Sequence, residues 1–188
     1  GGNQPDALHR STVQRLDYAN DTAQCIARTN LTANGSQWST THTQEYGYWQ
    51  SGDVINRTDF SNDTAAALDR ADTTVSHDNA MGCGNMSYGY YAGGAPISTI
   101  DRLDYSSDTT TATPKGTLSV VNYDAGASSN SAYGYFAGGY GGSGGHISTV
   151  DRLDFSTDTT NCVAKGPLTA AKRHVGSTGN SIAGYHGG

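Results

Sequence analysis

Aliphatic residues, lysine and glutamate are all scarce in this sequence. Leu, Ile, Val and Phe together supply 25 of the 188 residues, Lys occurs three times, and Glu45 is the only glutamate. Long helices are built mainly from Ala, Leu, Glu and Lys, so a helical protein is disfavoured. No segment approaches the ~18 consecutive apolar residues of a membrane helix. The net charge is −6 and basic residues are not clustered, so we expect neither a nucleic-acid partner nor membrane insertion.

The scarcity of aliphatic residues would by itself indicate disorder, but two features oppose that interpretation. Charged residues make up only 15% of the chain, whereas disordered chains usually carry high charge. The 12 tyrosines add apolar surface that the aliphatic count misses. Asp, Asn, Gly, Ser and Thr, which are typical of turns and strand ends, are abundant. The chain begins at Gly1 without a methionine or a signal peptide, which predicts that it is processed or cut from a longer protein.

Two motifs alternate along the chain and divide it into four repeats. The first is an aromatic–glycine segment followed by small residues: EYGYWQSG (45–52), SYGYYAGG (87–94), AYGYFAGG (132–139) and IAGYHGG (182–188). The second has an Arg, an Asp and an Asp-Thr turn: VQRLDYANDT (13–22), INRTDFSNDT (55–64), IDRLDYSSDT (100–109) and VDRLDFSTDT (150–159). We expect a single domain over residues 1–188 with repeats at approximately 3–52, 53–94, 95–139 and 140–188.

Each repeat is predicted to form four short strands. In the last repeat the strands are expected at 147–155, 161–165, 173–179 and 182–188. Asp158 lies in the turn between the first two of these strands, where we expect its side chain to bond its own backbone. In the aromatic–glycine segment Tyr133 and Tyr135 share one sheet face, and Gly134 leaves room for a neighbouring sheet. Repeats of 40–50 residues with four strands predict the blades of a β-propeller.

The repeats resemble the kelch repeat. The matching segments are Gly138-Gly139, Ser148 to Asp154, Pro167 to Arg173 and Tyr185 to Gly188, with Pro96 to Asp104 in the third repeat. The resemblance implies an all-β fold, a β-propeller of four-stranded antiparallel blades. The Trp that usually follows the Asp turn is absent. Strands three and four of a repeat come first in the chain and strands one and two come last. Four repeats would therefore form either a closed four-blade ring, which we favour, or a segment of a larger propeller or array.

Each repeat places an arginine two residues before an aspartate, so that both side chains lie on one strand face. We expect structural ion pairs that connect each blade to its neighbour or to its own turn. The alternative is a ring that lines a channel or binds a polar ligand. The residues concerned are Arg15, Asp17, Arg57, Asp59, Arg102, Asp104, Arg152 and Asp154.

No metal, cofactor or catalytic residue is predicted. One aspartate in each Asp-Thr turn is better explained by turn bonding than by calcium, which needs six to eight oxygen ligands; these are Asp21, Asp63, Asp108 and Asp158. Cys25 and Cys162 share a repeat position with Ala67 and Ala112, which indicates a small buried side chain. The six histidines are scattered, and no nucleophile or phosphate-binding motif is present.

In kelch propellers the connections from strand two to three and from strand four to one form one face, which usually takes the ligand. On that face we predict ligand contacts from Trp38, in the fourth-to-first region Asn30 to Thr43, and from Tyr140 and His146. Aromatic rings among Asn, Asp and Ser side chains suit a sugar.

The expected function is a non-enzymatic structural or binding module of a virion or cell-surface assembly, since the Asp-Arg-Leu-Asp repeats also resemble those of phage virion and bacterial surface proteins. Expected partners are other structural proteins of the assembly and surface glycans, and we expect an oligomer or array. One alternative is a kelch-type protein-interaction adaptor. The other is a fragment of a copper enzyme similar to the galactose oxidases, whose metal is held by Tyr and His.

Overall fold

The computed structural model describes residues 10–35 and 37–188, which form antiparallel strands and short 3-10 helices. Sheet I contains β1 (Arg10–Arg15) and β2 (Ile26–Gly35), and sheet II contains β3 (Ser39–His42), β4 (Tyr46–Asp59) and β5 (Leu68–His77). Sheet III contains β6 (Met81–Gly84), β7 (Tyr88–Ala92), β8 (Thr99–Asp104) and β9 (Thr113–Thr117). Between sheets III and IV, β10 (Asn122–Tyr123) pairs with β13 (Tyr140–Gly141). Sheet IV contains β11 (Gly126–Ser129), β12 (Tyr133–Ala137), β14 (Val150–Asp154) and β15 (Val163–Ala164), and sheet V contains β16 (Gly176–Gly179) and β17 (Gly184–Gly187).

Sheet II follows the same path as sheets III and IV, although β4 is one continuous element. The chain reverses near Gly52, whose φ of +65° favours glycine. The first half of β4 pairs with β3, and its second half pairs with β5. The backbone N–H of Phe60 donates to the carbonyl of Glu45, as Tyr105 does to Ser87 in sheet III. Sheets II, III and IV are therefore three versions of one four-stranded meander.

The all-β prediction is confirmed. Over the described residues, sheet I has two strands that correspond to the third and fourth strands of the other sheets, and sheet V has two that correspond to the first and second. Among the described residues these two half-sheets do not pair with each other. Each glycine pair lies between the second and third strands of a sheet, so the sheets and the sequence repeats are out of phase by half a unit.

Successive sheets pack through their first strands. Strand β3 contacts β6, β6 contacts β11, and β11 contacts β16. Glycines make this close approach possible: a Cβ added to Gly82 would lie 2.5 Å from the carbonyl oxygen of Thr40 in the preceding sheet. A Cβ on Gly134 would lie 2.7 Å from the sulfur of Cys83. The expectation that Gly134 leaves room for a neighbouring sheet is thus confirmed.

The core lies between the sheets and is built largely from aromatic and small side chains. One cluster joins sheets III and IV around Tyr90, Phe136 and Leu153, and a second joins sheets II and III around Tyr48 and Tyr91. All five of these side chains are almost completely buried. A few large rings in each inter-sheet layer replace many aliphatic residues, which explains how so lean a composition folds.

No helix in the described part of the chain is long and apolar enough to cross a membrane.

Candidate functional site: inter-sheet charge clusters and the loop face

The aspartate at the end of each third strand caps the turn that follows. Asp104 Oδ1 accepts the backbone N–H of Ser106 at 2.9 Å and begins the 3-10 helix Tyr105–Ser107. Asp154 does the same for Ser156 at 2.9 Å. We call these four residues the cap aspartates: Asp17, Asp59, Asp104 and Asp154. The expected ion pairs of these aspartates are therefore corrected, because the carboxylate is occupied by its own turn.

The aspartate four residues later receives the arginine instead. Asp108 in sheet III accepts from Arg57 at 2.7 Å, from Arg70 at 2.7 Å and from the hydroxyl of Tyr48 at 3.0 Å. All three donors belong to sheet II. We call this set the turn aspartates: Asp21, Asp63, Asp108 and Asp158. The prediction that the side chain of Asp158 bonds its own backbone is wrong, because this side chain faces the preceding sheet.

A similar cluster recurs at two other boundaries, between sheets III and IV and between sheets I and II. Asp158 of sheet IV pairs with Arg102 at 2.7 Å and Lys115 at 3.6 Å, and accepts from Tyr90 at 2.9 Å. Asp63 of sheet II pairs with two arginines of sheet I, Arg15 at 2.9 Å and Arg28 at 3.0 Å. Arg15, Arg57 and Arg102 therefore pair with the turn aspartate of the next sheet. The partner predicted from the sequence was the cap aspartate two residues later in the same strand.

Arg152 in sheet IV is the fourth member of this series. It stacks on Tyr133, 4.4 Å from the ring centroid, as Arg102 stacks on Tyr88 at 4.2 Å. Within the described residues it has no carboxylate partner, and its Nε is buried without an acceptor.

The second cation of each cluster was not predicted from the sequence. It follows the strand arginine by 13 residues in every repeat, at Arg28, Arg70, Lys115 and Lys165. That constant spacing was the available signal. It places the second cation on the fourth strand, or at its end, beside the arginine of the third strand.

Burial and charge oppose each other at Asp108. Burial raises the pKa of this carboxyl, but hydrogen bonds from Arg70 and Tyr48 and the charges of Arg57 and Arg70 lower it, and the net pKa is below the ordinary aspartate value. Burial, together with the charge of Asp108, raises the pKa of the Tyr48 hydroxyl. The cluster therefore holds an ionised carboxylate against two cations and a neutral phenol.

A second polar contact, which is fully buried, joins sheets II and III. Asp101 of sheet III accepts the backbone N–H of Thr74 at 2.6 Å and lies 3.1 Å from Nε2 of His77, both from sheet II. The other ring nitrogen of His77 lies 2.6 Å from the carbonyl of Gly93. Burial raises the pKa of Asp101, but the bonds from His77 and Thr74 outweigh it and leave the pKa lowered. In sheet IV the equivalent Asp151 accepts from Ser119 at 2.8 Å.

The connections from strand two to three and from strand four to one lie at one end of the sheets, which we call the loop face. Trp38 lies there in a cavity of about 370 Å³ that Trp49, Asp124 and His174 also line. The Nε1 of Trp38 is buried and has no acceptor among the described residues. The predicted long connection Asn30 to Thr43 is corrected, because β2 and β3 occupy most of it.

Asp124 is the polar centre of this cavity. Its carboxylate lies 3.8 Å from Nδ1 of His174 and 3.5 Å from the amide nitrogen of Gln37. Asp124 and His174 both have positive φ, as does Asn79, and the backbone N–H of His174 donates to the carbonyl of Asp124 at 2.8 Å. The loop face therefore holds carboxylate, imidazole and amide groups around two indole rings.

The other two predicted ligand residues lie together on the loop face. Tyr140 and His146 form a β-bridge, and their ring centroids are 5.9 Å apart. Tyr123 packs on the same ring at 5.4 Å, and the guanidinium of Arg173 lies 5.7 Å from it. Tyr123 and Arg173 directly precede Asp124 and His174 in sequence. The Tyr140 cluster and the Trp38 cavity are therefore adjacent, since each of these two residue pairs contributes one side chain to each of them.

A second, larger cavity opens at the opposite end of the first strands. Its volume is about 900 Å³, and its walls come from the ends of β3, β6 and β11, with Ser177 of β16. Threonine, serine and asparagine side chains dominate its lining.

Histidine, cysteine and acidic groups are dispersed over the described part of the chain, where no cluster of three or more is arranged to hold a metal ion. Cys83 and Cys162 are buried and Cys25 is exposed, all as free thiols. The burial predicted at the shared repeat position is found for Ala67, Ala112 and Cys162, but the prediction is wrong for Cys25, which is exposed.

No known protein-family model matches this sequence, and no curated protein resembles it significantly.

Proposed function

We propose that the chain is part of a kelch-like β-propeller that serves as a non-enzymatic binding module. Three features support this fold: the four-stranded antiparallel meander of sheets II, III and IV, the contacts between successive first strands, and the placement of all connections of one type on one face. In propellers of this architecture each blade is one such meander. Sheets I and V would each supply half of a blade.

The ligand that best suits the loop face is a glycan. The observation that carries this proposal is the cavity of about 370 Å³ in which Trp38 and Trp49 lie beside Gln37, Asp124 and His174. Its volume is within the usual range of ligand sites, ~300–1,000 Å³. Indole rings offer flat apolar surfaces to the C–H face of a sugar, and the polar groups can exchange hydrogen bonds with its hydroxyls. The setting we propose is a virion or cell-surface assembly, in agreement with the resemblance of the repeats.

Binding to a glycan array, followed by calorimetry on the best ligand, tests this function. His174→Asn removes the imidazole and keeps a residue type that tolerates positive φ, so the fold should survive. Trp38→Phe removes the indole N–H and part of the stacking surface. We expect each variant to bind about tenfold more weakly, a loss of about 1.4 kcal/mol.

Met86→Ala is the matched control, because Met86 is exposed at the opposite end of the sheets. It should bind like the parent chain. A blank array, or equal binding by the parent chain and both loop-face variants, would overturn glycan recognition at this face.

A further inference from the structure

The two ends of the sheet array carry opposite halves of the same inter-sheet cluster. Arg152 and Lys165 of sheet IV occupy the positions from which Arg102 and Lys115 hold Asp158. At the other end, Asp21 is the turn aspartate of sheet I. It is exposed and makes no ion pair with the described part of the chain.

The backbone at the end of sheet IV is also open to a turn. In sheet III, Gly116 is covered by the Asp158 turn: its N–H donates to the carbonyl of Asp158 at 2.8 Å, and its Cα faces the backbone of Thr160. Gly166 is the counterpart of Gly116 in sheet IV. A Cβ added there would meet no described atom within 4 Å. The end of sheet IV thus has the cations and the accessible glycine against which such turns pack.

Aromatic side chains show the same complementarity. Tyr105 of sheet III stacks on Tyr48 of sheet II, and Phe155 of sheet IV stacks on Tyr90 of sheet III, each at 4.8 Å. The residue at this position in sheet I is Tyr18, which is 89% exposed. Tyr135 of sheet IV, the counterpart of Tyr48 and Tyr90, has no stacked ring from another sheet in the described structure.

We propose that the turn from Asp17 to Cys25 of one copy of this chain docks on the end of sheet IV of a second copy, with Asp21 bound between Arg152 and Lys165. The contact would repeat the three inter-sheet clusters already present within the chain. A second copy is favoured over the chain's own turn because sheets I and V, which would have to join to bring that turn round, do not pair with each other in the described residues of one chain.

This docking rests on the proposed role in an assembly and supplies its contact. The docking surface and the turn are different regions of the chain, so the interface is heterologous. It therefore extends into a filament or closes into a ring of copies, according to the rotation between them. Because charge pairing contributes to it, association should weaken as salt concentration rises.

A charge-exchange experiment tests the proposal. Sedimentation velocity over a concentration series should show the parent chain growing in mass with concentration. Asp21→Lys and Arg152→Glu, each studied alone, should require about tenfold or more higher concentration to associate, because like charges would face each other. An equimolar mixture of these two variants should associate again, since Asp21 of one variant then meets the unchanged Arg152 and Lys165 of the other, and the introduced lysine meets the introduced glutamate. Asp69→Lys, which changes an exposed residue of β5, is the control and should behave like the parent chain.

The possible failures have distinct signatures. A parent chain that stays monomeric throughout, or single variants that associate as it does, would overturn the proposal. A monomeric Asp21→Lys/Arg152→Glu double variant that regains thermal stability lost in both single variants, with no association in the mixture, would assign the contact to closure within one chain. Glycan binding is measured separately on the same variants. Loss of association with intact glycan binding supports the docking, whereas a blank array with intact association contradicts only the loop-face ligand.

Discussion

Two aspartates four residues apart have different tasks in the turns of sheets II, III and IV. Asp104 caps the 3-10 helix that follows it, while Asp108 reaches the preceding sheet and binds its arginines. The sequence places Arg102 two residues before Asp104, on the same strand face, and this proximity made Asp104 the obvious partner. The backbone N–H groups at the start of the turn bind that carboxylate in place of the arginine, because they lie only two residues away. Long-range pairing of Asp108 depends on how sheets pack, which strand spacing alone does not contain.

The Asp108 cluster should contribute measurably to stability. Asp108→Asn is expected to lower the free energy of unfolding by about 2 kcal/mol, since charge-assisted bonds to Arg57, Arg70 and Tyr48 are weakened or lost. Asp21→Asn changes the same repeat position without a described partner, and should cost less than about 0.5 kcal/mol. Urea denaturation at neutral pH measures both values.

Acid should reveal the same cluster. The pKa of Asp108 is lowered in the folded protein, so the unfolded chain takes up this proton at higher pH than the folded chain does. The stabilisation is complete above the ordinary aspartate pKa of about 4 and is lost as pH falls through the lower folded value. The parent chain should therefore lose more stability on acidification than Asp108→Asn. Equal losses in the two proteins would contradict the assignment of a stabilising ionised carboxylate to Asp108.

At the scale of strands, the glycine of the aromatic–glycine motif sets how closely two sheets approach. Gly134 is buried, and an added Cβ would lie 2.7 Å from Cys83 Sγ and 3.2 Å from the ring of Phe155. Both neighbours are packed in the cluster between sheets III and IV. The motif has the same role in sheets III and V, where a Cβ added to Gly89 or Gly184 would also meet a side chain of the preceding sheet.

Gly134→Ala should consequently separate sheets III and IV or displace their core side chains. We expect a loss of about 1–3 kcal/mol in the free energy of unfolding, which is typical of overpacking. Gly187→Ala provides the matched control, because no described atom lies within 4 Å of a Cβ added there. Thermal and urea denaturation of both variants give the comparison. If Gly134→Ala proved as stable as the control, close sheet contact at this strand would be refuted.

Strand positions were largely readable from the sequence, whereas turns and long strands were not. The last repeat contains strands inside the predicted segments at Val150–Asp154, Val163–Ala164, Gly176–Gly179 and Gly184–Gly187. Period-2 alternation and flanking glycines carry that information locally. The second half of the 10-residue β2 was predicted to be a connection because its Asn, Thr and Gly residues are typical of loops, yet pairing with β1 makes it part of the strand. The 3-10 helix after β14 depends on a cap bond that composition does not specify.

At the scale of the whole molecule, the sequence repeat and the structural unit begin at different points. Motifs counted from glycine pair to glycine pair give four repeats, while the chain folds as three complete sheets between two half-sheets. Tyr140 and His146 lie together on the loop face, but the cavity at Trp38 required Asp124 and His174 from two later connections. Such convergence depends on the arrangement of sheets around one another, which no single repeat encodes.

The rate at which each cysteine is labelled should distinguish the exposed thiol of sheet I from the buried thiols of sheets III and IV. Cys162 is buried between sheets III and IV, and this burial and the charge of Asp151 raise its pKa to about 12. Burial also raises the pKa of Cys83. Since the thiolate is the reactive form, a disulfide reagent should label Cys25 rapidly and the other two thiols only on unfolding. Cys25→Ser should abolish the rapid phase.

The same residue position connects reactivity to assembly. Cys25 and Cys162 occupy equivalent places after the turn aspartate, yet in the described part of the chain only Cys162 has a preceding sheet packed against it. If the turn from Asp17 to Cys25 docks on a second copy, Cys25 gains the environment that Cys162 already has. Its labelling rate should then fall as protein concentration rises, and recover in Arg152→Glu. A rate that is independent of concentration while the parent chain associates would place the contact elsewhere on the molecule.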